Sequence, residues 1–189
     1  FASEAIVGMS SKHQRFQEAL KLRLQAIELA PQEQRKQIPN SDALAAYDAY
    51  ASSFPKEDLG IEAAYKAATI AKSIEQPEKA AARFRAIAAA HPEHKLAKES
   101  VQETLAVLVK AEKWEALSQE SKTFATTNEI AESPLGKDQS LQQKIEEARE
   151  LANVKLTESL EQSGKLDEAR ARYESILGEK PSETLGIYA

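Results

Sequence analysis

The sequence predicts an all-α protein built as an array of antiparallel helix pairs, about eight helices in all. Three observations predict it. Only 6 Gly and 7 Pro occur in 189 residues, in a chain rich in Ala, Glu, Lys, Gln and Leu, a composition that favours helix almost throughout. No run of β-branched and aromatic residues bounded by turn signals reads as a strand. The third observation is a pattern in the stretch 76–92. There Ala80, Phe84 and Ile87 share one helical face, Pro92 follows five residues on, and the same spacing returns along the chain.

In order, residues 1–11 are mixed and Ser-rich and read as a flexible N-terminal segment. The first helix is expected over 12–30, with Phe16, Leu20, Leu24 and Ile27 on one stripe and Pro31 ending it. Residues 31–40, with two prolines, are a connection with room for a turn of helix. Asn40 or Ser41 is placed to cap a second helix that Pro55 closes, its oxygen accepting from unpaired backbone N–H groups. Asp58 caps a third, to about residue 74, with Ile61, Ala64, Ala67, Ala68 and Ala71 inward. The fourth begins at Pro77, whose missing N–H would be unpaired there anyway, and stops before Pro92. A fifth over 93–110 turns Val101, Leu105 and Leu108 inward, and a sixth runs from Trp114 to about Thr126. Residues 127–137 hold Asn128, Pro134 and Gly136 and form the clearest loop. The seventh helix, 138–162, is the longest, with Leu141, Ile145, Ala148, Ala152, Leu156 and Leu160 apolar. Gly164 ends it. The eighth spans 166–177, before Gly178 and Pro181, and Ser182 reads as the cap of a further helix begun over 182–189.

The set Ala80, Phe84, Ile87 and Pro92 fixes the architecture by its copies. Thirty-seven residues earlier stand Ala43, Tyr47, Tyr50 and Pro55, a full match. Thirty-seven later stand Leu117, Ser121, Phe124 and Glu129, a degraded copy that keeps its apolar ends. A further 52 on, Ala169, Tyr173, Ile176 and Pro181 match fully. Ala19, Arg23, Ala26 and Pro31 also carry the spacing, but only 24 residues separate Pro31 from Pro55, too few for a helix pair. A period in the thirties with two helices per unit marks a helical-pair solenoid.

The spacing small–x₃–aromatic–x₂–aliphatic–x₄–Pro resembles the second half of the tetratricopeptide (TPR) repeat. The resemblance covers about residues 12–181 and is strongest in the helices ending at Pro55, Pro92 and Pro181. The family's first-helix signature is mostly missing, and its small residue there is Ala68, Leu105 or Thr157 in this chain. What the resemblance implies is a right-handed superhelix with units at about 12–55, 58–92, 93–127 and 138–181. Its concave groove is lined by first helices. The family register puts Glu62, Tyr65, Thr69 and Lys72 in that groove from one unit and Glu99, Gln102, Ala106 and Val109 from the next. The long helix adds Leu151, Val154 and Glu158. The Lys/Asn clamp of chaperone-binding members is absent: Tyr65, Thr69, Gln102 and Ala106 stand at its positions. Tyr47, Tyr50, Phe54 and Pro55, followed by Ala63–Lys66, resemble bacterial cell-envelope TPR proteins, which implies a periplasmic scaffold, with the cytoplasm as the alternative compartment.

Other function classes have little to stand on. The formal charge is −5 and acids and bases interleave, unlike the dense basic surface of a nucleic-acid binder. There is no cysteine, hence no thiolate metal site or Cys nucleophile. No apolar run approaches the ~18 residues of a membrane span. The chain opens on Phe1 without a basic, then apolar, leader and reads as a mature or excised piece. His91 and His94 bracket a helix break with no third ligand nearby, and His13 is remote in sequence. The pairs Glu146–Glu147 and Glu158–Glu161 read as solvated faces rather than an acid–base pair, and Trp114 as an inter-helix packing residue. No phosphate loop, G-x-S-x-G or H-E-x-x-H occurs. The expectation is a non-enzymatic, cofactor-free and metal-free scaffold for a protein or peptide partner. Its alternative is a structural spacer or self-associating segment of a longer solenoid.

Overall fold

The computed structural model describes residues 14–74 and 76–178. These are all-α, with no strand among them: eight helices of thirteen residues or more, and three of a single turn. In order they are α1 (Gln14–Glu28), α2 (Gln32–Arg35), α3 (Asn40–Ser53), α4 (Asp58–Ile74), α5 (Pro77–Ala90), α6 (Ala97–Lys110), α7 (Trp114–Thr126), α8 (Asn128–Ala131), α9 (Pro134–Lys137), α10 (Gln139–Gln162) and α11 (Leu166–Gly178). Helices pack against their neighbours in sequence. The segment 1–11, Pro181 and the helix expected over 182–189 lie outside the described residues.

The chain divides between Ile87 and Ala88 into two compact units. In the first, α1 turns Phe16, Leu20 and Leu24 onto Ala46, Tyr47 and Tyr50 of α3 and Ala63 and Ala67 of α4. Phe54 seals this core with ring contacts to Phe16 and Tyr50 at 6.4 and 5.1 Å between centroids. The two buried tyrosines keep their hydroxyls paired, as burial requires: Tyr47 donates to Glu28 and Tyr50 to Glu57. The expected side-chain cap of α3 does not form. Pro39 is the capping residue, and its carbonyl accepts from the N–H groups of Asp42 and Ala43. This draws Asn40 and Ser41 into the helix, where the Asn40 amide bonds Ser73 instead. In α4, Ala63 is buried where the periodicity pointed to Ala64, and Gly60 is buried with it.

In the second unit, α6 begins at Ala97 rather than 93, because the His94 ring accepts the Leu96 N–H and holds the chain in a turn. Val101, Leu105 and Leu108 of α6 are buried as expected, with Leu117 and Phe124 of α7. The stretch 127–137 is not a loop. It folds as α8 and α9, burying Ile130 and Leu135. The Ser133 hydroxyl caps α9 by accepting the Leu135 N–H. Two apolar side chains spaced by a turn outweighed the Asn, Pro and Gly signals.

A repeat period should place residues one unit apart side by side, and it does. Gln17 bonds Glu57 at 2.8 Å, Lys66 pairs with Glu28, Arg83 forks onto Asp48 at 2.8 and 3.2 Å, and Lys98 meets Asp138 at 2.5 Å. These partners lie 35 to 40 residues apart in sequence, bracketing the 37-residue offset of the motif. Gln17–Glu57 near the starts of α1 and α4, with Glu28–Lys66 further along both, make these helices parallel neighbours. The bond from Asn40, at the start of α3, to Ser73, at the end of α4, makes that pair antiparallel.

The turn between paired helices also repeats. After α6, Lys113 N–H bonds the Leu108 carbonyl and Glu112 N–H that of Val109, with Glu112 at φ 53°. After α10, Lys165 bonds Leu160 and Gly164 bonds Glu161, with Gly164 at φ 76°. Both are Schellman closures on a left-handed residue. They stand 52 residues apart, the same offset that separates the third and fourth copies of the motif.

Candidate functional site

The residues assigned to the groove fall on α4, α6 and α10, and each unit is described by itself. In the first unit, Glu62 and Tyr65 are half-buried and Thr69 and Lys72 exposed. Tyr65 sets its ring edge-on to fully buried Phe84, 5.3 Å between centroids at 70°, and the Lys72 ammonium lies 5.7 Å over the same ring. Thr69 bonds back to the Tyr65 carbonyl at 3.0 Å. Tyr65 and Lys72 therefore help to pack α4 on α5 besides facing outward. Sequence reasoning assigned them only to the surface, because an aromatic one turn from a small residue gives no sign of which neighbour it touches.

In the second unit, Glu99 and Ala106 are exposed and Gln102 and Val109 half-buried on α6. On α10, Leu151 is exposed, and Val154 and Glu158 are half-buried. Glu158 accepts from Lys155 at 2.7 Å, and this bond, with the negative charges of Glu158 and Glu112, raises the Lys155 pKa. Lys98 meets Asp138 where both helices begin, and Lys155 feels Glu112 just past the end of α6. So α6 and α10 run parallel, residue for residue about 40 apart. That sets Leu151 level with Val109. Val154 stands level with the turn after α6, and Glu158 lies beyond it. The family register, which pairs Leu105 with Thr157, spreads the set further along α10 than the neighbouring α6 reaches.

Burial along α10 explains the spread. Leu141, Ile145, Ala148 and Ala152 form one stripe toward α6 and α7, whereas the next buried residue, Thr157, lies on another face. There Asn153 accepts from Arg172 of α11. The 24-residue helix is thus shared between two sets of partners, changing sides after Ala152.

Asp138 fixes where this helix starts. Its carboxylate caps α10 by accepting the Leu141 N–H at 3.0 Å and also pairs with Lys98. The Lys98 bond first, then the backbone bond from Leu141, hold its carboxyl below the usual carboxylate range. A folded-state pKa below the unfolded one stabilises the fold above the ordinary value of 3.8, and the contribution is lost as pH falls through the lower value. Asp138→Ala should therefore melt below the parent at pH 7, with the difference closing in acid. An equal deficit at both pH values would assign the loss to something other than the charge.

Among the described residues no group of three His, Cys, Asp or Glu side chains is arranged to hold a metal ion. His91 is held below its usual pKa by burial and by neighbouring His94. No helix among the described residues is long and apolar enough to cross a membrane. Each unit thus offers outward faces of parallel helices, with small and aliphatic side chains partly open on α6 and α10. No protein-family model, no curated protein and no solved structure matches the chain.

Proposed function

We propose that this chain is a non-enzymatic scaffold of the tetratricopeptide kind, holding a protein or peptide partner against the first helices of its pairs. The observation that carries the reading is the parallel placement of α6 and α10 with Ala106, Val109 and Leu151 left partly open. Aliphatic side chains uncovered on adjacent parallel helices are what a partner helix or extended peptide buries. The resemblance of the Tyr47–Pro55 stretch to bacterial cell-envelope TPR proteins supports the periplasm as its compartment.

The test is cross-linking with mass spectrometry in a bacterial envelope extract, using the parent chain, a Val109→Asp/Leu151→Asp variant and Lys122→Gln as a control on α7. One heterologous partner should be recovered with parent and control. The double variant should lose it by at least tenfold, about 1.4 kcal/mol. Recovery unchanged in the double variant, or links between copies of this chain alone, would refute the groove reading.

A further inference from the structure

Helix α6, in the second unit, starts on a bond that a proton would break. The Nδ1 atom of His94 accepts the Leu96 N–H at 3.2 Å, in a part-buried turn. An imidazole nitrogen accepts only while it carries no proton, and the imidazolium donates from both nitrogens. Protonating His94 therefore sets one N–H against another at Leu96. The same turn is closed by His94 N–H on the His91 carbonyl and Ala97 N–H on the His94 carbonyl, at 3.0 and 2.9 Å. The Leu96 carbonyl accepts in turn from Ser100 N–H at 2.9 Å, so a displaced Leu96 loosens the first turn of α6. Lys98 lies in that turn, and its pair with Asp138 ties α6 to the start of α10.

The surroundings press the same way. His91 and His94 are both half-buried. Burial first, and His94 next, hold His91 below the usual histidine value. A folded-state pKa below the ordinary 6.5 gives a stabilising contribution that is present above that pH and lost as pH falls through the lower value. The positive end of the α6 dipole also opposes an imidazolium here. The last three residues of α5 are uncharged alanines, and Glu93 and Lys95, both exposed, flank His94 with opposite signs. In the first turn of α6 stand Lys98, held by Asp138, and exposed Glu99, while α7 ends near exposed Lys122. Asp138 is itself held below the carboxylate range and stays charged where histidines titrate. From this cluster we infer that His94 is a proton-operated catch: acidification below neutrality protonates its ring, releases Leu96 and slackens the Lys98–Asp138 tie. The catch belongs to the start of α6 and needs no partner in the groove.

Amide exchange of the whole chain, followed by NMR from about pH 8 to about pH 5 with each rate divided by its intrinsic value, tests it. Protection of Leu96 should fall roughly tenfold across that range, as the loss of one hydrogen bond implies, while buried Leu105 keeps its own. His94→Asn puts an amide oxygen in place of Nδ1 and does not titrate, so Leu96 should then be equally protected at both ends of the range. His94→Ala should leave it poorly protected at both, and His91→Asn should keep the fall. The coupling of Lys98 to Asp138, from a double-mutant cycle with Lys98→Met and Asp138→Asn, should weaken over the same range in the parent and hold in the His94→Asn background. Constant protection of Leu96 in the parent, an equal fall in His94→Asn, loss of the fall in His91→Asn, or a coupling that does not weaken would overturn the inference.

Discussion

Gly60→Ala should destabilise the first unit by about 3 kcal/mol or more, although the same change in an exposed helix stabilises by about 1 kcal/mol. The sign reverses because of position. Gly60 is buried in the first turn of α4, and a methyl there would sit 1.8 Å from the Phe54 carbonyl oxygen and 2.9 Å from its carbon. Something must move, and Phe54 is poorly placed to yield. Its N–H is bonded to Tyr50, its carbonyl accepts from Glu57, and its ring is wedged against Phe16 and Tyr50. Separating α3 from α4 instead would open Tyr50 and Ala63 to water, at about 25 cal/mol per Å² of apolar surface. Denaturant titration of parent and variant checks this. An unchanged or raised midpoint would mean that the turn 54–57 yields freely.

Restoring the repeat should also do harm. Ser121 stands where the other copies have Tyr47, Phe84 and Tyr173, so a consensus argument recommends Ser121→Phe. Ser121 is fully buried on α7, and its hydroxyl finds no partner. The long helix packs closely on α7, bringing small residues such as Ala148 and Ala152 to its buried stripe. A ring added there overpacks a filled site and should cost on the order of 1–3 kcal/mol, or more if α10 is displaced. Ser121→Ala should be neutral or stabilising by about 1 kcal/mol, since it removes a buried group without a hydrogen bond. Thermal melts of the two variants settle the matter by their opposite directions. A Phe variant as stable as the parent would show unfilled space beside α7.

Much of the fold was legible because it rests on periodicity. The stripes Phe16–Leu20–Leu24 and Val101–Leu105–Leu108 are buried as their spacing requires, and the prolines mark where helices stop. What escaped was decided by contacts distant in sequence or by competition between weak local signals. Ile130 and Leu135 turned an apparent loop into two helical turns. Pro39, rather than Asn40, took the cap. Copy-to-copy alignment also set the fourth unit 52 residues after the third, whereas α6 and α10 run side by side with an offset of about 40. An alignment of motifs measures where chemistry recurs and not which residues stand level. The side chains expected in a groove are half-buried or exposed on their helices, and which residues stand beside them was not legible.

The sharing of α10 has a mechanical consequence. In most helical arrays consecutive units are joined through side-chain interfaces, and each unit can open when its interface fails. Here one unbroken backbone carries the stripe that closes on α7 and, past Ala152, the face that holds α11. Fraying from the C-terminal side can release α11 and the last turns of α10, but it meets the buried Ala148–Ala152 stretch before reaching α6 and α7. Amide exchange along α10 should therefore show a step at Ala152, with fast exchange beyond it and slow exchange before it. The helix acts as both hinge pin and stop.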